Sequence, residues 1–268
     1  MKIVEFGGGL GNQLFAYMYY MYIRATTDKR VYAVYHFKDH NGFELCKYFD
    51  AQIKMNAFSL FLVKLLGHIS WKYHSKIADS FFIKEDKKGW KWSFICRGIW
   101  QNKKYFKKEA IQFKDLPLSE RNKVIKHKML NCNSVAIHIR RGDYLSPQYY
   151  NWYWHLDETD YYQKAIEHVK KKFENCSFFV FSDDIAWCKE NMKFEDANYI
   201  DWNKGDDSVY DMYLMSLAKV NVIANSTFSF WGAYLNKNSE MTIYPNRWYR
   251  EDFPCENPDI FPADWIGL

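Results

Sequence analysis

The chain has few cysteines, and those it has do not cluster. The six, at positions 46, 96, 132, 176, 188 and 255, form no Cys-x-x-Cys pair and have no histidines at zinc-ligand spacing. That argues against a zinc ribbon or a disulfide scaffold. Most sit beside apolar residues, as Cys96 does after Phe94 and Ile95, and read as small buried hydrophobes in a reducing compartment. A secretory leader is not expected either, because Met1-Lys2-Ile3-Val4-Glu5-Phe6-Gly7 leaves no room for a basic stretch followed by an apolar one. The longest apolar run, residues 57–69, is interrupted by Lys64 and His68 and is too short to span a bilayer. These absences make a cytoplasmic location the expectation. Internal repeats, low-complexity tracts, a Gly-Lys-Ser/Thr phosphate loop and a Gly-x-Ser-x-Gly nucleophile elbow are lacking too, which argues against a P-loop NTPase and a serine hydrolase.

What remains is a globular composition with one outlying number. Of 268 residues, 48% are hydrophobic and 26% charged, while 20% are aromatic. Rings in that abundance suit clefts that stack sugars or bases, and they also fill cores. The length suits one to two domains at about 150 residues each. Net charge is +5, a modest excess that does not demand a nucleic-acid partner. The excess is concentrated between Gln101 and Lys128, where Lys103, Lys104, Lys107, Lys108, Lys114, Arg121, Lys123, Lys126 and Lys128 face only Glu109, Asp115 and Glu120. A solvated helix face and a peripheral contact with an anionic membrane both fit such a run.

The pattern predicts an α/β protein. Ile3–Phe6 reads as a strand, Gly7–Gly11 as a break, Asn12–Arg24 as an apolar helix and Val31–His36 as a second strand. Residues 43–91 show no clear periodicity. From Asn133 onward strands and helices alternate. Ser134–Ile139 is a buried strand, and Thr159–Glu174 is a helix with Tyr162, Ala165, Ile166, Val169 and Phe173 on one stripe and Thr159 as its cap. Further strands fall at 178–181, 198–200, 221–224 and 241–244, with helices between them. Repeated strand–helix order implies parallel, doubly wound sheets. The expected division is 1–125 and 126–268, two Rossmann-like domains with mostly parallel sheets facing a central cleft.

Four segments could carry chemistry. Gly7-Gly8-Gly9-Leu10-Gly11-Asn12-Gln13 misses the third glycine of Gly-x-Gly-x-x-Gly, yet its glycines allow close backbone approach and a helix start favours anions. It serves equally well as a plain strand-to-helix turn. His138-Ile139-Arg140-Arg141-Gly142-Asp143-Tyr144 ends a strand, and two guanidiniums there suit a pyrophosphate. Alternation puts His138 and Arg140 on one face, so Arg140 is expected at the ligand and Arg141 in a structural role. In Phe181-Ser182-Asp183-Asp184 the carboxylates are adjacent rather than at Asp-x-Asp spacing, so a metal is not expected. One would hydrogen-bond a nucleotide while the other caps a helix. In Asn225-Ser226-Thr227-Phe228-Ser229 hydroxyls and an amide gather at a helix start, suited to an anionic leaving group or to an ordinary cap.

Taken together, these segments resemble the family-11 glycosyltransferases, the bacterial and animal alpha-1,2-fucosyltransferases. The stretches that carry the likeness are GGGLGNQLFAY (7–17), GIWQNKKYF (98–106), HIRRGDY (138–144), FSDD (181–184) and DMYLMSLAKVNVIANSTFSFWGAYLN (211–236). Residues 40–90 match weakly, and Phe230 stands where a second tryptophan is common. The resemblance implies a GT-B architecture and an inverting, metal-independent transfer of L-fucose. The donor would be GDP-β-L-fucose, and the acceptor the 2-hydroxyl of a terminal galactose in an oligosaccharide or lipid-linked glycan. Arg140 would hold the pyrophosphate, and His138, Ser182 and Asp183 the nucleotide. Asn225, Ser226, Thr227, Phe228 and Ser229 would lie near the phosphates, while Gly9, Gly11, Asn12 and Gln13 would close on the donor sugar or acceptor. Asp143 is the nominee for general base. Its rivals are a structural role for Asp143, Glu5 as base, or no base at all. Animal members carry an N-terminal membrane helix, so a bacterial member is expected. Transfer in another linkage, another GDP-deoxysugar donor, or a non-catalytic nucleotide-sugar or glycan-binding protein are the alternatives.

Overall fold

A computed structural model of the chain describes residues 1–37, 40–73, 82–84, 93–107 and 111–268. These form two compact units, Met1–Lys114 and Asp115–Leu268.

The first unit is a four-stranded parallel sheet built from β1 (Lys2–Phe6), β2 (Val31–Tyr35), β3 (Phe82–Lys84) and β4 (Ile95–Arg97), in the order β2-β1-β4-β3. Helix α1 (Leu10–Thr26) follows the glycine loop, α2 (Leu45–Tyr48) is a single turn, and α3 (Ala57–Tyr73) occupies part of the stretch whose sequence shows no period. Ile3, Val34, Val63 and Ile95 form a core to which Leu60, Leu62 and Leu66 of α3 add. Helix α1 is buried from Leu10 to Tyr20 apart from Asn12. Its tyrosines end in useful hydroxyls, since Tyr17 and Tyr20 accept the backbone N–H groups of Gln52 and Lys54 at 3.2 and 3.0 Å. Tyr19 lies flat on Trp100 with ring centres 3.5 Å apart. Much of the aromatic excess is therefore packing, with polar tips satisfied by backbone.

The second unit is a six-stranded parallel sheet of β5 (Asn133–Ile139), β6 (Cys176–Ser182), β7 (Ala197–Ile200), β8 (Val220–Val222), β9 (Met241–Tyr244) and β10 (Ile266–Gly267). The spatial order is β10-β9-β8-β5-β6-β7. Numbered within the unit this is the dinucleotide-binding order, with the chain reversing direction of growth between β5 and β8. Val135, Ile137, Val180, Val222 and Ile243 belong to its core. Helices α4 (Glu120–Leu130), α5 (Tyr161–Lys170), α6 (Ile185–Asn191), α7 (Val209–Met215) and α8 (Thr227–Tyr234) connect or flank the strands. Helix α5 begins after Asp160, with the Thr159 hydroxyl accepting from the Tyr161 N–H.

The units meet at 114/115 rather than 125 because α4 is held by the second one. Asn122 on α4 is a hub that accepts from Trp202 Nε1 at 2.8 Å and from Asn203 Nδ2 at 3.1 Å. The basic run of 101–128 is thereby divided. Lys103 and Lys104 lie in the first unit. Lys123, Lys126 and Lys128 lie in the second and are engaged with Glu120, the Tyr213 hydroxyl and Asp196. Lys108 and Glu109 fall outside the described residues. Among the described residues no helix is long and apolar enough to cross a membrane.

Candidate active site

In doubly wound sheets a ligand binds beyond the carboxyl ends of the strands where strand order reverses. In the second unit that place lies between β5, which ends in Arg140-Arg141-Gly142-Asp143, and β8, which runs into Asn225–Ser229. Two contacts tie these ends together. The Tyr144 hydroxyl donates to the Asn225 carbonyl at 2.8 Å, and the His138 ring lies 5.9 Å from that of Phe228.

The two arginines diverge as strand alternation requires. Arg141 is spent on structure. Its Nη1 pairs with Asp157, its Nε reaches Asp184 Oδ2 at 3.2 Å, and its guanidinium lies 3.9 Å over the Trp187 ring. Arg140 is held open by two carboxylates, Nη2 to Asp143 Oδ1 at 2.8 Å and Nη1 to Asp183 Oδ2 at 3.0 Å. Burial alone would lower its pKa, but Asp183 and Asp143 outweigh that and hold it above the ordinary value. A guanidinium has five N–H donors in a planar fork. These two ion pairs leave donors over for a further anion.

Asp183 and Asp184 part company too. Asp183 binds Arg140 and also accepts the Arg141 backbone N–H at 3.0 Å. Asp184 caps α6 by accepting from the Trp187 N–H at 3.2 Å. Gly142 makes room for this, since a Cβ there would stand 2.5 Å from Asp183 Oδ2. Among the described residues no three His, Cys, Asp or Glu side chains converge.

His138 is buried beside this cluster, and its Nδ1 has no partner among the described residues. Burial, reinforced by the Arg140 charge, pushes the imidazole down to about 3, so the ring is neutral at physiological pH. At the β8 end the hydroxyl-rich segment sorts itself by burial. Ser226 caps α8, accepting from the Phe228 N–H. Ser229 donates to backbone carbonyls at 3.2–3.4 Å, and Asn225 donates to the Trp154 and Trp248 carbonyls at 2.9 Å. Asn225 and Ser229 therefore hold the loop from inside. Thr227 and Phe228 are the partly exposed members of the segment. Ser182 is half-buried, its hydroxyl accepting from the Asp184 N–H at 2.9 Å.

In the first unit the glycine loop is shaped by Gly8, whose φ of 69° favours glycine. Gly9 precedes α1 without a side-chain cap, and Gly11 is buried inside the helix. Gln13 is fully buried and structural. It donates to the carbonyls of Gly8 and Gly42 and accepts from the N–H groups of Glu44 and Leu45, all at 2.8–3.1 Å. Asn12 is partly exposed, with a buried Oδ1 that has no partner among the described residues. Glu5 is committed elsewhere, with His36 Nε2 at 3.0 Å and Arg97 Nη2 at 3.0 Å on Oε1. Burial pushes its carboxyl up, but the hydrogen bonds from His36 and Arg97 prevail and hold it below the usual range. That makes it a weak base.

Several residues at or near the second-unit site give no signal in the sequence. Tyr153 stacks on Tyr144 at 3.7 Å, and Tyr249 packs against Tyr153 at 5.7 Å. Asp157 supports Arg141. Elsewhere in the unit, at the hub that Asn122 organises, Asp211 accepts from Asn203 Nδ2 at 2.7 Å, and burial pushes its carboxyl up to about 8 despite that bond.

Structures of NodZ alpha-1,6-fucosyltransferase share this fold. The one co-crystallised with GDP aligns at a TM-score of 0.53 and 13% identity, over 86% of this chain and 91% of that one. The one soaked with GDP-fucose aligns at 0.51 and 12%, over 87% and 92%. With parallel sheets in both units and the reversal site described, the architecture is that of a GT-B-like glycosyltransferase. The chain belongs to glycosyl transferase family 11, whose family model matches residues 68–268. It is similar to an alpha-1,2-colitosyltransferase of Escherichia coli, 34% identical over 297 residues that cover 99% of this chain and 98% of that protein. The O-antigen biosynthesis glycosyltransferase WbnK of Escherichia coli is 38% identical over 142 residues, 52% of this chain and 45% of that protein. Human galactoside alpha-(1,2)-fucosyltransferase 1 is 27% identical over 142 residues, 50% and 38%.

Proposed function

We propose that the protein transfers L-fucose from GDP-β-L-fucose, with inversion and without a metal, to the 2-hydroxyl of a terminal galactose. The observation that carries this reading is Arg140, a guanidinium anchored by Asp143 and Asp183 at the strand-order reversal with donors to spare. In an inverting displacement the acceptor oxygen bonds to the anomeric carbon as that carbon's bond to the phosphate oxygen breaks. Charge then develops on the departing GDP. Arg140, with Thr227 and the amino end of α8, is set to receive that charge. His138, neutral and partnerless at Nδ1, would meet the nucleotide. Asp143 presents Oδ1 to Arg140, and its other oxygen is free among the described residues to take the acceptor proton.

A second reading, transfer of colitose, is favoured by the full-length likeness to a colitosyltransferase. Colitose is fucose without its 3-hydroxyl, so both sugars call for the same chemistry at the anomeric carbon. GDP release is the test, measured with GDP-fucose and GDP-colitose against galactose-terminated oligosaccharides and followed by linkage analysis of the product. Faster turnover of GDP-fucose into an alpha-1,2 linkage supports the first reading, and preference for GDP-colitose establishes the second. Donor binding without acceptor-dependent GDP release would refute both. Arg140→Ala should lower kcat by about 10²–10³-fold in a folded protein. Loss of turnover with a chelator and its return with manganese would overturn the metal-free assignment.

A further inference from the structure

The sheet face that packs against α3 changes character at its carboxyl edge. Ile3, Val34 and Ile95, on three neighbouring strands, belong to the core of the first unit. Alternation returns to the same face every second residue, so the next residues on that face are Glu5, His36 and Arg97. Three apolar side chains thus give way to a carboxylate, an imidazole and a guanidinium where the strands end.

These three meet. Glu5, with 2% of its side chain exposed, accepts from His36 Nε2 and Arg97 Nη2 on Oε1, both at 3.0 Å, and from Arg97 Nε on Oε2. A carboxylate facing Nε2 selects the tautomer with its proton there, which leaves Nδ1 a lone pair. That Nδ1 has no partner among the described residues. The His36 and Arg97 side chains are 21% and 42% exposed, so one buried carboxylate orients two groups that reach solvent. Phe37 follows, stacked on His36 with ring centres 4.4 Å apart and 37% exposed. Gly7 makes room for it, since a Cβ there would stand 2.9 Å from Phe37 Cε2.

Ligands of parallel sheets bind beyond the carboxyl ends of the strands. A half-exposed ring beside hydrogen-bonding groups held at fixed angles is suited to a sugar, which offers an apolar C–H face and hydroxyls around its rim. The Glu5–Arg97 pair balances charge within the cluster, which suits a neutral ring. We infer that the first unit binds the acceptor sugar here. Phe37 takes the apolar face of the terminal galactose, His36 Nδ1 accepts from one of its hydroxyls, and Glu5 is the positioning residue that fixes the imidazole and the guanidinium. The identity of the sugar rests on the transfer reading above, to which this adds the residues that select the acceptor.

Kinetics with the galactose-terminated oligosaccharide that gives the fastest GDP release test the assignment. Phe37→Ala should raise the acceptor KM about ten-fold, with kcat and the donor KM kept within about two-fold, and Phe37→Trp should retain the parent's values. His36→Gln keeps a donor for Glu5 but loses Nδ1, and should raise the acceptor KM about five-fold. Glu5→Gln should raise it about ten-fold without moving the donor KM, a split that a merely structural role would not produce. GDP affinity at the parent's value shows that each variant folds. Lactose binding without donor, read by saturation-transfer NMR, separates this assignment from the transfer reading. If no donor releases GDP, the transfer reading fails, while lactose binding that Phe37→Ala abolishes still upholds the subsite. No lactose binding by the parent, lactose binding that survives Phe37→Ala, an unchanged acceptor KM in the Phe37→Ala or His36→Gln variant, or a rise in the donor KM instead would each overturn the assignment.

Discussion

At the scale of single residues, the site depends on which carboxylate holds which arginine. Arg140 and Arg141 are adjacent, yet one keeps donors for a ligand while the other is consumed by Asp157, Asp184 and Trp187. The arrangement turns on Gly142, because a methyl there collides with Asp183 Oδ2. Moving that carboxylate breaks its pairing with Arg140 and its bond from the Arg141 N–H, so Gly142→Ala should cost about 1–3 kcal/mol in stability. The move also releases Arg140, so the donor KM should rise about ten-fold or more with the protein still folded. Thermal melts and donor titration check both halves. Arg141→Lys should also lose about 2 kcal/mol of stability, because lysine cannot keep the ring stack and both pairs at once.

Secondary-structure elements show a different division of labour, in which buried amides and hydroxyls fasten loops to strand ends. Gln13 uses its side chain to fix residues 42–45. Gln13→Leu should therefore cost about 3 kcal/mol or more, by leaving the Glu44 and Leu45 N–H groups unpaired. Ser226→Ala should cost about 1 kcal/mol through loss of the α8 cap. Both are measurable by denaturant unfolding. The strand-end motifs were legible in the sequence because their residues are consecutive and alternation assigns their faces, as it did for Arg140 and Arg141. The fastening roles of Gln13, Asn225 and Ser229 were not, because their partners are backbone groups that only folding brings within reach. Helix α3 was hidden for another reason. Its exposed side carries Phe58, Phe61 and Leu65 among Lys64, His68 and Lys72, which blurs the 3.6-residue contrast that marks a surface helix.

For the whole molecule, two enclosed groups with opposed shifts, His138 and Asp211, dominate the pH response near neutrality. His138 is neutral when folded, so between about 3 and its ordinary 6.5 the unfolded chain takes the proton and stability rises with pH. Asp211 keeps its proton when folded up to about 8, against an ordinary 3.8, so across that range the folded chain binds the proton and stability falls with pH. The two slopes offset each other between about 3.8 and 6.5, and above that only the decline remains. Unfolding free energy should therefore drop between pH 6.5 and 8, by up to about 1.4 kcal/mol per pH unit. Asp211→Asn should flatten that limb. A parent profile that rises there would contradict the assignment. The strand order of the second unit also sets a schedule for synthesis. Strand β5 carries Arg140 but gains its second neighbour only when β8, beginning at Val220, has been made. The first unit ends at Lys114 and has all its strands long before then. A nascent chain on the ribosome thus completes its glycine-loop unit early, and it lacks the strand-end cluster at the β5–β8 reversal until most of its length has emerged.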